Sequence, residues 1–298
     1  MTDHLFKSGF VAIIGRPNVG KSTLLNRLLG QKIAITSNKP QTTRNRILGI
    51  LTDAESQTLF LDTPGIHPAR DDLNRFMVEE AVDACADVDM ILLTIDAERP
   101  GLDRLDQLFK ILDGRRATVL LGINKIDRIP RQQLLPMIAQ LSKQFSFAEI
   151  IPFSAHTGEG VDTLLAAIRS RLPDGPRYYP EDILTDLPER FIVAEMVREQ
   201  LLKQTHEEIP YGVAIVVESF TERTDRELIE IKVKIIVERA SHKGIVLGKG
   251  GEKIRAIGTA ARHDIERFIG SKVYLELFVK VQKNWTESAR LRQEFGYK

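Results

Sequence analysis

Residues Gly15-Arg16-Pro17-Asn18-Val19-Gly20-Lys21-Ser22 match the spacing G-x-x-x-x-G-K-[ST]. In that pattern glycines let successive backbone N–H groups wrap an anionic phosphate at a helix N-terminus, where the helix dipole adds attraction. Lys21 is placed to reach β- and γ-phosphates and the Ser22 hydroxyl to ligate Mg²⁺, with Thr23 next on the helix joining the candidate contacts. Farther along, Asp62-Thr63-Pro64-Gly65 supplies a carboxylate that can anchor the same ion. Gly65, lacking a Cβ, can turn its N–H toward a γ-phosphate and start a mobile segment.

A third group chooses the base. Asn124-Lys125-Ile126-Asp127 offers a carboxylate, Asp127, that can accept from both the ring N–H and the exocyclic amine of guanine. Adenine has no such donor pair and would leave a buried Asp127 unpaired, so the site should reject it. Ser154-Ala155 is placed to offer backbone N–H to the guanine oxygen.

These groups need a scaffold that brings them to one edge. From Phe10 to Leu172 short Val/Ile/Leu-rich runs alternate with amphipathic stretches, the rhythm of a parallel sheet covered by helices. Strands are expected at Phe10–Ile14, Ile47–Thr52, Thr58–Asp62, Met90–Asp96, Thr118–Asn124 and Ile150–Ser154, and each motif then sits at a strand's C-terminal end, where such sheets bind ligands. Helices are expected at Lys21–Leu29, Leu73–Ala84, Leu102–Leu112, Arg131–Gln144 and Val161–Leu172. The fold class is α/β for residues 1–172, followed by a Pro-rich linker over 173–190 and a smaller α+β domain over 191–298.

The second domain reads as a helix (Phe191–His206), two strands (Val213–Thr221 and Leu228–Arg239) joined by a turn at Arg223–Arg226, a helical region (Ser241–Ile269), a strand (Val273–Val281) and a last helix (Thr286–Phe295). Within it, Gly248-Lys249-Gly250-Gly251 fits the GXXG loop with which KH domains clamp a nucleic-acid backbone, and the element order matches the bacterial-type (type II) arrangement. Lys249, Lys253 and Arg255 would add charge for phosphates. Ile245, Val246 and Ile254 are candidate groove walls, and Trp285 either stacks on a base or covers the small domain's core.

Overall charge hides this surface. With 42 Lys+Arg against 41 Asp+Glu the net charge is +1. By segment, however, Glu181–Glu230 holds 5 basic and 13 acidic residues, and Ile231–Lys283 holds 12 basic and 5 acidic. A hydrophobic share of 43% supports real cores and argues against long disorder. The apolar runs are too short to cross a bilayer, no secretory signal opens the chain, and the single cysteine, Cys85, excludes an internal disulfide, so a reducing cytoplasmic setting is expected.

Taken in order, the nucleotide motifs resemble the translation-factor-related GTPases. The resemblance places a first switch at Gln41-Thr42-Thr43-Arg44-Asn45, with Thr43 preferred, and Thr42 as alternative, for completing the Mg²⁺ shell beside Ser22 and Asp62. Lys21, Thr43 and Gly65 are then the residues expected to act on the transferred phosphoryl group. Ile66 stands where Ras-like enzymes carry a water-positioning glutamine, and it cannot orient water by hydrogen bonding. Members of the branch with a hydrophobic residue there often use K⁺, which implies that Asn18 helps hold a monovalent cation.

A GTPase joined to such a KH domain resembles the Era family over essentially the whole chain, most closely at Glu238–Gly251. That resemblance implies a monomeric GTP/GDP switch with slow intrinsic turnover, acting in small ribosomal subunit maturation by binding near the 3′ end of its rRNA. It also implies peripheral contact with the inner face of the membrane; a membrane-surface GTPase acting in division is the alternative reading.

Overall fold

The computed structural model describes residues 5–39, 41–68, 71–102, 105–205, 209, 211–223 and 227–297. They form two compact units. One comprises residues 1–34, 43–70 and 74–186; the other comprises 35–42, 71–73 and 187–298.

The first unit is built on six strands: β1 (Lys7–Gly15), β2 (Ile47–Thr52), β3 (Ser56–Asp62), β4 (Met90–Asp96), β5 (Thr118–Asn124) and β6 (Glu149–Pro152). They run in the order β2-β3-β1-β4-β5-β6. All neighbours are parallel except β2, which pairs antiparallel with β3. Every residue of β3 and β4 is buried, the signature of strands covered on both faces. The helices are α1 (Lys21–Leu29), α2 (Asp72–Asp83), α3 (Asp106–Leu112), α4 (Leu134–Gln144) and α5 (Val161–Arg171). One core cluster joins Ile14, Ile91, Leu93, Leu121 and Ile123 of the strands to Leu108, Leu112 and Leu141 of the helices. Cys85 lies in this cluster, where burial pushes its thiol up to about 11, as befits a small apolar filler.

Strand register explains why the motifs converge. Ile13 pairs with Asp62, Gly15 with Thr94, Asp96 with Asn124, and Ile123 with Pro152. Strand order reverses at β1, which lies between β3 and β4, and the crevice at such a switch point is where open α/β sheets hold ligands.

Part of the stretch expected as a linker instead covers the first sheet. The Gln57 side chain accepts from the N–H groups of Tyr178 and Tyr179, the Ile50 N–H donates to Leu184 O, and the Thr185 hydroxyl donates to Leu48 O. Tyr179 and Ile183 pack on Leu48, Ile50, Leu59 and Leu61, so the prolines here hold an extended cover over an otherwise bare apolar patch.

The second unit contains α6 (Glu189–Gln204), β7 (Val213–Arg223), β8 (Leu228–Val237), α7 (Ala240–Leu247), α8 (Glu252–Ile269), β9 (Lys272–Val281) and α9 (Ala289–Glu294). Its sheet order is β7-β8-β9, with β7 antiparallel and β9 parallel to β8. A bulge lies between Val217 and Ser219. Of the turn expected at Arg223–Arg226, residues 224–226 lie outside the described residues, as does residue 206 at the end of the expected helix Phe191–His206. Trp285 is fully buried, donates Nε1–H to Gly212 O at 3.1 Å and packs on the rings of Phe295 and Tyr297. It is a core residue and presents no ring to a base.

Candidate nucleotide site and RNA loop

Gly15 and Gly20 bracket the phosphate loop, and both adopt φ values that favour glycine, +151° and +99°. A Cβ on Gly15 would strike Thr94 O and one on Gly20 would strike Asn124 Nδ2, so the loop's closeness to β4 and β5 depends on their absence. Asn18 also has positive φ, its carbonyl accepting from Lys125 Nζ at 2.7 Å. Lys21 is buried and donates to Gly15 O (3.3 Å) and Arg16 O (3.2 Å). Burial lowers its pKa to about 8, against the opposing pull of Asp62. An arriving phosphate would favour the charged ammonium.

Three oxygens gather beside it. Ser22 Oγ donates to Asp62 Oδ2 at 2.6 Å and lies 2.8 Å from Thr43 Oγ1. Asp62 is fully buried, its Oδ1 has no hydrogen-bond partner, and burial raises its pKa to about 6. A buried carboxylate oxygen without a donor, flanked by two hydroxyls, suits a hard oxygen-seeking ion such as Mg²⁺. Between the two threonines considered, Thr43 reaches this cluster, whereas the Thr42 hydroxyl donates to Lys39 O at 2.6 Å. Thr63 Oγ1 donates to Ile13 O, and a Cβ on Gly65 would lie 2.6 Å from Pro17 N, so residues 62–65 are seated against the phosphate loop.

Ile66 donates its N–H to Gly15 O and is 3% exposed, inside the core cluster. The position is therefore part of the hydrophobic interior. Ile66→Gln is expected to lower stability by about 1–3 kcal/mol, the cost of an unpaired buried amide, without accelerating hydrolysis. Urea unfolding and single-turnover rates measure both.

Asn124 joins three loops. Its Nδ2 donates to Val19 O at 2.8 Å, while Oδ1 accepts from Lys125 N (2.8 Å) and Ala155 N (2.9 Å). The Ala155 N–H, expected to serve the guanine oxygen, is thus directed at Asn124, and the Ser154 N–H donates to Glu159 O. Asp127 sits in a short 3₁₀ turn (Ile126–Arg128) and is exposed; the burial expected for its carboxylate is absent from the protein alone. Sequence reasoning overlooked Asp96, whose Oδ2 pairs with Lys125 Nζ at 2.6 Å, although its place at the end of β4 marked it as plainly as the others. It also overlooked Arg27, which donates to the carbonyls of Ala155 and His156.

In the second unit the GXXG loop joins α7 to α8. Gly248, Gly250 and Gly251 have φ of +71°, +60° and +79°, values that penalise any side chain. A Cβ on Gly248 would lie 2.7 Å from Lys253 Cβ, while none would meet anything within 4 Å at Gly250 or Gly251, so the tip is open to an approaching backbone. Lys249 and Arg255 are exposed, Lys253 is half-buried, and the 18-residue α8 begins here without a side-chain cap. Val246 is fully buried in the core; Ile245 is exposed and Ile254 half-buried, leaving these two for a groove.

Comparison with known proteins agrees with both halves. Residues 10–125 match the family model described as 50S ribosome-binding GTPase, and residues 208–286 match the KH domain model. The chain is 53% identical over 297 residues to GTPase Era of Geotalea uraniireducens and 51% identical to that of Geobacter metallireducens, covering 100% of each chain. The chain belongs to the Era GTPase family. Solved structures agree: a point variant of Aquifex aeolicus Era bound to GDP·AlF4⁻ (TM-score 0.93) and Era in complex with MgGDPNP and nucleotides 1506–1542 of 16S ribosomal RNA (TM-score 0.95) are each 41% identical. Both cover 98% of this chain and 99% of their own. This Era-family chain is a GTPase. Its fold is a phosphate-loop GTPase domain followed by a KH domain.

Proposed function

We propose that this GTPase binds the 3′ segment of small-subunit rRNA through Gly248–Gly251, Lys253 and Arg255, and assists small-subunit assembly under control of its bound nucleotide. The observation that carries this reading is the open glycine loop at the start of α8, beside Lys253 and Arg255, in a chain 41% identical to an Era solved with 16S rRNA and a GTP analogue. The match to the 50S ribosome-binding GTPase family covers residues 10–125 alone, so the choice of subunit follows the whole-chain relative. Crosslinking of RNA to the protein in cells, followed by sequencing, is expected to enrich the 3′ end of small-subunit rRNA; enrichment confined to other RNAs would overturn the assignment.

In the same reading Gly15–Thr23 hold the phosphates; Asn124, Lys125, Asp127, Ser154 and Ala155 frame the base; and Ser22, Thr43 and Asp62 would hold Mg²⁺, which would supply charge neutralisation to the phosphates. Gly65 N–H faces the γ-phosphate. With Ile66 buried, water must be placed by backbone or cation, so intrinsic turnover is slow. Asn18 would help hold a K⁺ ion, whose positive charge would offset the negative charge developing on the phosphates. Turnover is then faster in K⁺ than in Na⁺, and equal rates at saturating salt would remove the ion from the mechanism.

We place the protein in the cytoplasm as a monomer. A membrane-surface role is the weaker alternative, because a glycine clamp in an α+β domain suits a nucleic-acid backbone better than lipid. Among the described residues no helix is long and apolar enough to cross a membrane.

A further inference from the structure

The most unusual buried groups of the second unit lie on α6. From Ile192 to Leu202 nearly every residue is buried, including Glu195, Arg198, Glu199 and Gln200. Glu199 is 0% and Arg198 1% exposed. Charged groups buried at this depth seldom add stability over hydrophobic residues of the same size, and their best-attested use is to fix the register of something packed on them.

What packs on them is the segment 35–42, which this unit takes in. The Thr36 N–H and hydroxyl both donate to Glu199 Oε1, at 3.0 and 3.3 Å. The Lys39 ammonium caps the end of α6, donating to the carbonyls of Leu202 and Thr205, where a cation is favoured by unpaired carbonyls and the helix dipole. Arg198, itself gripped by Glu195 at 2.7 and 2.5 Å, donates to Thr42 O. The next residue in the chain is Thr43, the one whose hydroxyl sits 2.8 Å from Ser22. A single peptide bond separates a backbone carbonyl held by α6 from a hydroxyl held at the phosphate loop.

We propose that the Glu195–Arg198–Glu199 cluster, with the carbonyl end of α6, is the receiver that carries the nucleotide state into the RNA-binding unit through segment 35–42. The proposal rests on the nucleotide-controlled RNA binding argued above and names the residues of that control. Coupling requires contacts that differ between two states. Thr43 would be held at the phosphate loop when γ-phosphate and Mg²⁺ are bound and released when they leave, and the contacts of Thr42, Lys39 and Thr36 with α6 would shift with it. α6 packs directly against α8, the helix that opens with the GXXG loop, and Gln200 Nε2 donates to Asp264 Oδ2 at 2.8 Å, so a shift of α6 has a direct route to the loop's helix.

The test uses the full chain and a labelled single-stranded RNA spanning the 3′ end of 16S rRNA, titrated with GTP analogue and with GDP. The wild-type Kd ratio is expected to be about fivefold or more. In the double variant Thr36→Val, Lys39→Met, the ratio falls toward one while affinity for each nucleotide stays within about twofold, because neither residue belongs to the nucleotide motifs and both bond to α6. Thermal melting confirms that the variant is folded, and Lys39→Met alone serves should the double variant melt early. A ratio as large in the variant as in wild type overturns the receiver. A wild-type ratio of one overturns the nucleotide control beneath it, and the receiver with it.

Discussion

Asp127→Asn is expected to weaken GTP binding by about a hundredfold to a thousandfold and to convert the protein toward xanthosine triphosphate. Guanine presents two donors, the ring N–H and the exocyclic amine, and a carboxylate can accept both. The asparagine amide accepts one and turns an N–H₂ donor against the other, so a repulsion replaces a bond. Xanthine carries a carbonyl where guanine carries its amine, and that carbonyl restores the pair. The change is nearly isosteric, and Asp127 lies exposed in a turn whose backbone bonds, Arg128 N to Lys125 O and Ile129 N to Ile126 O, do not involve its side chain. Folding should therefore be untouched, which separates this result from a collapsed pocket. Competition titrations with GTP, ATP and xanthosine triphosphate measure it. Unchanged preference for GTP would mean that the base is chosen elsewhere, and tight ATP binding by the wild type would exclude a guanine site.

Gly250→Asp is expected to weaken binding of single-stranded RNA by about thirtyfold or more. Two effects add. The residue has φ +60°, where a side chain costs about 1–2 kcal/mol, so the loop shifts out of its clamp geometry. The new carboxylate also stands on the open tip, where a phosphate is to approach, and opposes it directly. Because a Cβ at Gly250 meets nothing within 4 Å, no core packing is disturbed. The GTPase rate without RNA should be unchanged, and binding to anionic vesicles should change only modestly. Equal losses on RNA and on vesicles would favour the membrane reading.

The candidate nucleotide site was legible in the sequence because its motifs are local. Gly15–Ser22, Asp62–Gly65 and Asn124–Asp127 each carry their pattern within a few residues, and each follows an apolar strand whose end the parallel sheet aligns. The KH loop was legible for the same reason, with three glycines at positive φ opening an amphipathic helix. Helix limits moved by a few residues: α4 begins at Leu134, behind a 3₁₀ turn at Arg131–Gln133, and α6 begins at Glu189, after Pro188, inside the stretch expected as linker.

What escaped sequence reading was long-range. Nothing near Thr36 or Lys39 announces partners 163 to 166 residues away on α6. Nothing in the local sequence marks Arg198 and Glu199 as buried, because charged residues on a helix ordinarily face water. The covering role of residues 173–185 was equally hidden, since Gln57 must meet the backbone of Tyr178 and Tyr179 before the segment has any reason to lie down. Asp96 is different: it stood at a strand end in plain view and was missed because no short motif names it.

The central claim is that the guanine-nucleotide centre and the RNA-binding loop form one switch, and linkage makes it testable from the nucleotide side. The measurement is the affinity of the wild-type chain for a non-hydrolysable GTP analogue and for GDP, each with Mg²⁺, in the absence and presence of saturating single-stranded RNA from the 3′ end of 16S rRNA. RNA is expected to raise the preference for GTP analogue over GDP by the same factor, about fivefold or more, by which GTP analogue in place of GDP tightens RNA binding, with no such gain in Gly250→Asp. An analogue-to-GDP affinity ratio that is identical with and without RNA would contradict the switch.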